Sequence, residues 1–164
     1  MDIKVKFLAG AVFTLGLFIT SQLMADMKGG REAIIKGNFP LAFKEFKEDA
    51  DKGIPQAMAP VAVMLHIGQG VKQDLPKALS WYRKAAEKGY EAAMANVGIM
   101  YFKGAGTIQS DVQAYAWLDV ASYVRGGKEH GTKERVASFL SPEQLKEAKA
   151  LAKQYRQMYT SNKM

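Results

Sequence analysis

The chain has 164 residues, a formal net charge of +7 at pH 7, two histidines and no cysteine. The absence of cysteine excludes disulfides, a thiol nucleophile and cysteine metal sites. The length is that of a single domain. Apolar packing between its elements must therefore supply its stability.

The first 25 residues predict a secretory signal peptide. Lys4 and Lys6 make a basic start, residues 7–19 are uncharged and apolar, and Ala25 suits the cleavage position. The alternative is an uncleaved N-terminal anchor facing outside the cytoplasm, because the uncharged stretch of residues 7–25 is just long enough to span a bilayer. In both interpretations the remainder of the chain lies outside the cytoplasm. With a cleaved signal peptide, we expect a periplasmic or secreted protein.

Residues 27–52 are interpreted as an N-terminal cap, because they are an incomplete copy of a unit that follows twice downstream. The first helix of this copy, expected around residues 28–36, is short and weakly apolar. The second helix has Glu45 and Asp49 where the next copy has Trp81 and Ala85. Terminal repeats need a polar outer face. We therefore expect four carboxylates to face solvent: Glu45, Glu48, Asp49 and Asp51.

Two full copies of one pattern follow at an offset of 36 residues, in units of about 53–88 and 89–124. A fixed period of roughly 20 to 50 residues is typical of stacked repeat proteins. Such proteins usually present a surface to a partner, so the period favours binding over catalysis. The matched pairs include Gly53/Gly89, Ala57/Ala93, Met58/Met94, Val61/Val97, Met64/Met100, Gly68/Gly104, Gly70/Gly106, Ala78/Ala114, Trp81/Trp117 and Ala85/Ala121.

Each unit is predicted to be a helical hairpin. Apolar residues in 76–88 follow the spacing of one face of an amphipathic helix, and an apolar helix precedes them. Between the two helices lies a glycine pair, such as Gly68 and Gly70, which can take a positive φ and turn the chain back. Pro60 lies inside a first helix and should bend it. The predicted fold class is therefore all-α, an α/α solenoid of helix-turn-helix repeats.

After residue 124 the period stops, and residues 125–164 are predicted to form C-terminal capping helices and a basic tail. A short helix is expected around residues 129–139, and Ser141 with Gln144 predicts a capping box at the start of the last helix. The basic positions of that helix could hold an anionic envelope surface or an acidic partner. The alternative is an ordinary solubilising face. These positions are Lys146, Lys149, Lys153 and Arg156.

The run from Ala85 to Met94, joined to residues 97–101, resembles a Sel1-like repeat, an α/α-solenoid relative of the tetratricopeptide repeat. Residues 68–74 and 78–86 complete the pattern, and the similarity covers about residues 40–125. The resemblance implies an adaptor that assembles or regulates protein complexes. Exported bacterial members are associated with envelope signalling, surface-polymer regulation and host contact.

One alternative comes from cysteine-rich relatives, for which an envelope enzyme activity on cell-wall or β-lactam-like substrates has been suggested. The paired cysteines of those relatives are absent from this chain. We therefore expect that the protein is not an enzyme.

In this family the first helix of each unit is expected to line the concave side of the solenoid. Positions turned away from the core would then form a shallow, half-apolar groove for a peptide or a partner helix. The alternative is that Val63, Ile67 and Ile99 are merely the near edge of the core. The predicted groove consists of Gln56, Val63, Ile67, Ala92, Asn96, Ile99 and Lys103.

No catalytic, cofactor or metal site is predicted. His66 and His130 lie in different parts of the chain without the spacing of metal ligands. Trp81 and Trp117 fit core positions better than a stacking platform for bases. We expect a monomer that binds a protein or peptide, no nucleic acid, and an anionic envelope surface only weakly.

Overall fold

The computed structural model describes residues 27–127 and 131–160, and within these ranges every regular element is an α-helix. The predicted all-α solenoid is confirmed. The predicted signal peptide lies outside the described residues, as does His130. The helices are α1 Lys28–Ile35, α2 Phe39–Asp51, α3 Pro55–Ile67, α4 Leu75–Glu87, α5 Glu91–Lys103, α6 Asp111–Val124, α7 Gly131–Ala137 and α8 Pro142–Thr160.

Consecutive helices pack against each other throughout the array. α1 with α2, α3 with α4, and α5 with α6 form hairpins, and each second helix also packs against the first helix of the next hairpin. The apolar stripes meet in one continuous core, in which Met94, Met100, Trp117 and Leu118 are almost fully buried. Burial of apolar surface at about 25 cal/mol per Å² is the main term that holds the helices together.

The ends of the helices follow the chemistry of their cap residues. α3 and α5 end at Gly68 and Gly104, which are left-handed with φ of 74° and 65°. Glycine adopts this conformation without the penalty of a Cβ atom. The predicted turn at each glycine pair is thereby confirmed, and α3 continues through Pro60 to reach it. Each second helix begins at a side chain that accepts a hydrogen bond from an N–H three residues later: Asn38, Asp74 and Ser110.

The second glycine of each pair makes the closest contact between neighbouring units. A Cβ atom on Gly106 would lie 2.7 Å from the nitrogen of Pro76, and closer still to the carbonyl group of Leu75. Gly70 lies in the same way against Phe39 at the start of α2. The loop backbone of one unit therefore packs directly on the first turn of the preceding second helix, and only glycine leaves room for it.

The N-terminal cap differs from the predicted solvated face. Asp49 is only 9% exposed, and Lys52 donates a hydrogen bond of 3.2 Å to its Oδ1 atom. Glu45 is half-buried with its carboxylate against Gly29. The expectation that Asp49 faces solvent is wrong, and Glu45 is only partly exposed, because Gly29 carries no side chain and leaves room for the Glu45 carboxylate against α1. The other two carboxylates, Glu48 and Asp51, are exposed as expected.

The helix α8 closes the array by packing against α6. The rings of Tyr155 and Tyr159 lie over Trp117, with centroid separations of 4.8 and 5.1 Å. The Tyr155 hydroxyl donates to Oε1 of Gln113 at 2.8 Å. At the start of α8, the predicted capping box is present, with reciprocal hydrogen bonds of 2.9 and 3.2 Å between Ser141 and Gln144.

This closure explains a difference between the two full repeats. α6 buries Ala116 and Val120 completely, whereas the equivalent positions of α4, Ser80 and Lys84, are exposed. α6 has α7 and α8 packed against it, and α4 has neither as a main neighbour. The last unit therefore carries apolar residues where the first presents a polar surface.

We expect Gly106→Ala to reduce the free energy of unfolding by about 2–4 kcal/mol, because the new methyl group adds a steric overlap with backbone to the cost of a positive φ. Gly53→Ala is the matched control, since Gly53 has a φ of 87° and nothing within 4 Å of a built Cβ atom. Its expected cost is about 1–2 kcal/mol. Urea denaturation followed by circular dichroism measures both, and equal losses would contradict the close approach.

Burial raises the pKa of Tyr82 to about 12. An unfolded phenol titrates near pH 10, so the unfolded state loses its proton first. The stability that depends on neutral Tyr82 is therefore complete below about pH 10 and is lost as the pH rises towards 12. Tyr82→Phe should flatten the fall of the urea midpoint across this window. Tyr123→Phe, at an exposed position, is the control that should keep the wild-type slope, and a Tyr82→Phe profile matching it would refute the prediction.

Candidate binding surface

The predicted groove residues of the first repeat lie on the face of α3 that is turned away from the core. Val63 is 40% exposed and Ile67 is 59% exposed, while Gln56 is half-buried. The buried stripe of the same helix includes Ala57 and Val61. α3 carries no Asp, Glu, Lys or Arg, so its outward face consists of exposed Val63 and Ile67 beside the partly exposed amide of Gln56.

The corresponding residues of the second repeat lie on the outward face of α5. Ala92 and Lys103 are exposed, whereas Asn96 and Ile99 are half-buried. Ile99 also packs against the core, so it belongs to the rim of the core as well as to the surface. The main neighbours of α3 and α5 are α2, α4 and α6. The seven predicted residues thus lie on the outward faces of two successive first helices.

Two amide side chains supply the polar chemistry of this surface. The Oε1 atom of Gln56 is buried and has no hydrogen-bond partner among the described residues. A buried acceptor without a donor costs free energy. The Gln56 side chain would have to rotate before this oxygen could meet a partner. Asn96 on α5 offers both a donor and an acceptor, and amides provide no acid or base for catalysis.

Two open clefts lie elsewhere and contain none of the predicted groove residues. One, of about 610 Å³, is lined by Leu65 and residues 71–77. Hydrogen bonds from Lys77 hold the pKa of Asp74, in this cleft, below its ordinary value, so Asp74 acts as an ionised helix cap. The second cleft, of about 380 Å³, follows the exposed side of α4 and is lined by Pro76, Leu79, Ser80, Arg83, Lys84 and Glu87.

The predicted basic face of α8 is smaller than expected. Lys146, Lys149 and Lys153 are exposed. Arg156 is instead half-buried, and its guanidinium lies 2.6 Å from Oδ2 of Asp119 on α6. The Arg156 side chain remains 38% exposed, and the Asp119 carboxylate offsets part of its positive charge.

Within residues 27–127 and 131–160, no group of three or more His, Asp or Glu side chains could hold a metal ion. In the same ranges, no helix has both the length and the apolar character needed to cross a bilayer. The ring of His66 packs edge-on against Tyr82 with a centroid separation of 6.0 Å. This contact gives His66 a packing role in the first repeat.

A family model of the Sel1 repeat matches residues 55–90 and 91–123, which are the hairpins α3–α4 and α5–α6. The chain contains two Sel1 repeats. Sel1 repeat proteins are generally scaffolds for protein–protein interaction and are typically not catalytic. The hairpins that carry the predicted groove are therefore of a kind that binds other proteins.

Two solved structures resemble the fold. The crystal structure of c5321, a protective antigen of uropathogenic Escherichia coli strains with an SLR fold, is 30% identical with a TM-score of 0.74 and covers 85% of this chain. A Sel1 repeat protein from Oxalobacter formigenes is 26% identical with a TM-score of 0.49 and covers 52% of this chain. The matches cover 31% and 35% of those two chains, about a third of each. No curated protein matches the sequence.

The predicted site omitted the two most exposed large apolar side chains of the described residues. Ile108, in the loop before α6, is 89% exposed, and Ile35, the last residue of α1, is 84% exposed. The sequence contained one indication of Ile108. The two repeats differ at this position, because the residue 36 positions earlier is Lys72. Single exposed apolar side chains are common on protein surfaces, so only their grouping with others would indicate a role.

Proposed function

We propose that this protein is an exported scaffold of the bacterial cell envelope that binds a peptide or helix of a partner protein on the outward faces of α3 and α5. One observation carries the proposal. Exposed Val63 and Ile67 lie on the same face of α3 as Gln56, whose buried Oε1 atom has no hydrogen-bond partner among the described residues. The exposed apolar area suits a bound polypeptide, and rotation of the Gln56 side chain would bring its unused acceptor to that surface.

The groove combines two kinds of contact. When apolar side chains of the partner cover Val63 and Ile67, apolar surface is removed from water and the complex is stabilised. The amides of Gln56 and Asn96 fix the register of the partner through directed hydrogen bonds. Lys103, at the end of α5, favours a partner with a carboxylate at that end.

Crosslinking in the envelope fraction, followed by mass spectrometry, tests the proposal. The wild-type protein should capture one partner in stoichiometric amount. The double variant Asn96→Glu/Ile99→Glu should lose this capture, because it places two charges in the groove. Circular dichroism checks that the helical content is retained. Val63→Glu is a second variant at a more exposed position, and it should weaken capture at least tenfold without a change in the urea midpoint.

The matched control is Ser80→Glu/Gln154→Glu, which adds the same two negative charges at exposed positions outside the groove. We expect it to capture the partner as the wild type does. Undiminished capture by both groove variants would contradict the proposed site. Turnover of a cell-wall or β-lactam-like substrate by the purified protein, lost on mutation of a polar residue, would contradict the proposed scaffold function.

Export is tested by the mass of the protein recovered from cells. We expect a periplasmic or secreted species that begins at Asp26, because cleavage after Ala25 removes the basic and apolar N-terminal segment. Recovery of the full-length chain in the membrane fraction would indicate an uncleaved anchor instead. Recovery of the full-length chain in the cytoplasm would overturn export.

A further inference from the structure

The loops inside the three hairpins lie at one edge of the array, together with the loop between α7 and α8. We call this edge the turn edge and define it by residues 34–41, 67–77, 103–112 and 138–142. The close approach of Gly70 to Phe39 joins the first two segments, and that of Gly106 to Leu75 joins the next two. Phe139 continues the edge, since its ring lies 5.8 Å from that of Phe102 near the end of α5.

Most of the exposed large apolar side chains lie on this edge. They occur in all four segments, and none of them belongs to the buried core. At the opposite edge, the loops at 52–54, 88–90 and 125–127 expose no large apolar side chain among the described residues. The remaining exposed large apolar side chains lie within helices: Val63, Tyr123 and Met158. The exposed apolar side chains of the turn edge are Ile34, Ile35, Leu41, Ile67, Ile108 and Phe139.

Lysines lie beside these apolar side chains. Lys36, Lys72 and Lys103 are exposed, and among the described residues none of the three forms an ion pair. The edge also holds two aspartates and a fourth lysine. Asp74 pairs with Lys77 at 2.8 Å, while Asp111 accepts a hydrogen bond from Gln109 and keeps its charge. Four lysines against two aspartates leave the edge with a small net positive charge around the exposed apolar side chains.

The spacing of these tips fits a flat anionic surface better than a peptide. Each isoleucine lies on the loop or helix end of a different unit, and lysines separate them along the chain. A peptide needs a continuous groove, whereas a bilayer interface accepts apolar side chains that are separate from one another and attracts lysines to its phosphates.

We propose that the turn edge docks on an anionic lipid bilayer surface, with Ile35, Ile67 and Ile108 entering the headgroup region and Lys36, Lys72 and Lys103 contacting lipid phosphates. This inference does not depend on the protein-binding groove. Ile67 and Lys103 belong to both surfaces, so the test uses Ile35, Ile108, Lys36 and Lys72, which belong to the turn edge alone.

The absence of cysteine allows a single environment-sensitive fluorophore to be placed at Gln109→Cys, next to Ile108 in the full-length chain. With phosphatidylglycerol vesicles, the emission should move to shorter wavelength and the probe should be protected from aqueous iodide. The same probe at Lys88→Cys, on the opposite edge, should stay in water. This pair separates docking of the edge from any attachment of the vesicle through the N-terminal segment.

Ile35→Ser/Ile108→Ser in the probe background should lower the protected fraction at subsaturating lipid by roughly tenfold, because less apolar surface enters the interface. Both side chains are exposed, so the urea midpoint should not change. Lys36→Glu/Lys72→Glu should give a similar loss and a weaker dependence on salt. The groove variant Val63→Glu should dock on vesicles as the wild type does.

Three results would overturn the inference. The probe at position 109 could stay in water with anionic vesicles. It could be protected equally by zwitterionic vesicles and in both edge variants. It could respond to envelope proteins and not to protein-free vesicles, which would make the edge a protein-binding surface.

Discussion

The close approach of a loop glycine to the first turn of the preceding second helix is the constraint on which the rest of the structure depends. Gly106 lies against Leu75 and Pro76, and Gly70 repeats this contact one unit earlier. A contact between backbones fixes the spacing of the units, so the first helices follow at a constant interval. The loops of successive units therefore lie side by side, and the buried apolar stripes meet in one core.

The array ends with a change in sequence and in packing. The glycine pair of the full repeats has no counterpart 36 residues later, where Leu140 and Pro142 stand. α8 begins at Pro142 and packs against α6 instead of continuing the pattern. Ala116 and Val120 in α6 are adapted to the closed end, while the polar Ser80 and Lys84 keep the equivalent side of α4 in solvent.

Sequence patterns predicted the fold class, the hairpins, the left-handed glycines and the capping box, because each depends on residues close together in the chain. They did not predict the burial of Asp49 or the pairing of Arg156 with Asp119, because both depend on which helices meet. The contact made by Gly106 could not be predicted for the same reason, since its partners lie about 30 residues earlier in the chain. The outward faces of α3 and α5 were predictable as positions, but the period leaves the choice of side chains there open.

The two tryptophans of the chain, one in each full repeat, have different surroundings. Trp81 has the ammonium groups of Lys47 and Lys84 at 5.4 and 4.1 Å from its ring, whereas Trp117 is stacked with two tyrosines of α8. Coupling between stacked aromatic rings gives Trp117 its own near-ultraviolet signal, and the cations shift the emission of Trp81. Each repeat thus contains one tryptophan with its own spectroscopic signal. Fluorescence and near-ultraviolet circular dichroism followed during unfolding would therefore report on the two repeats separately.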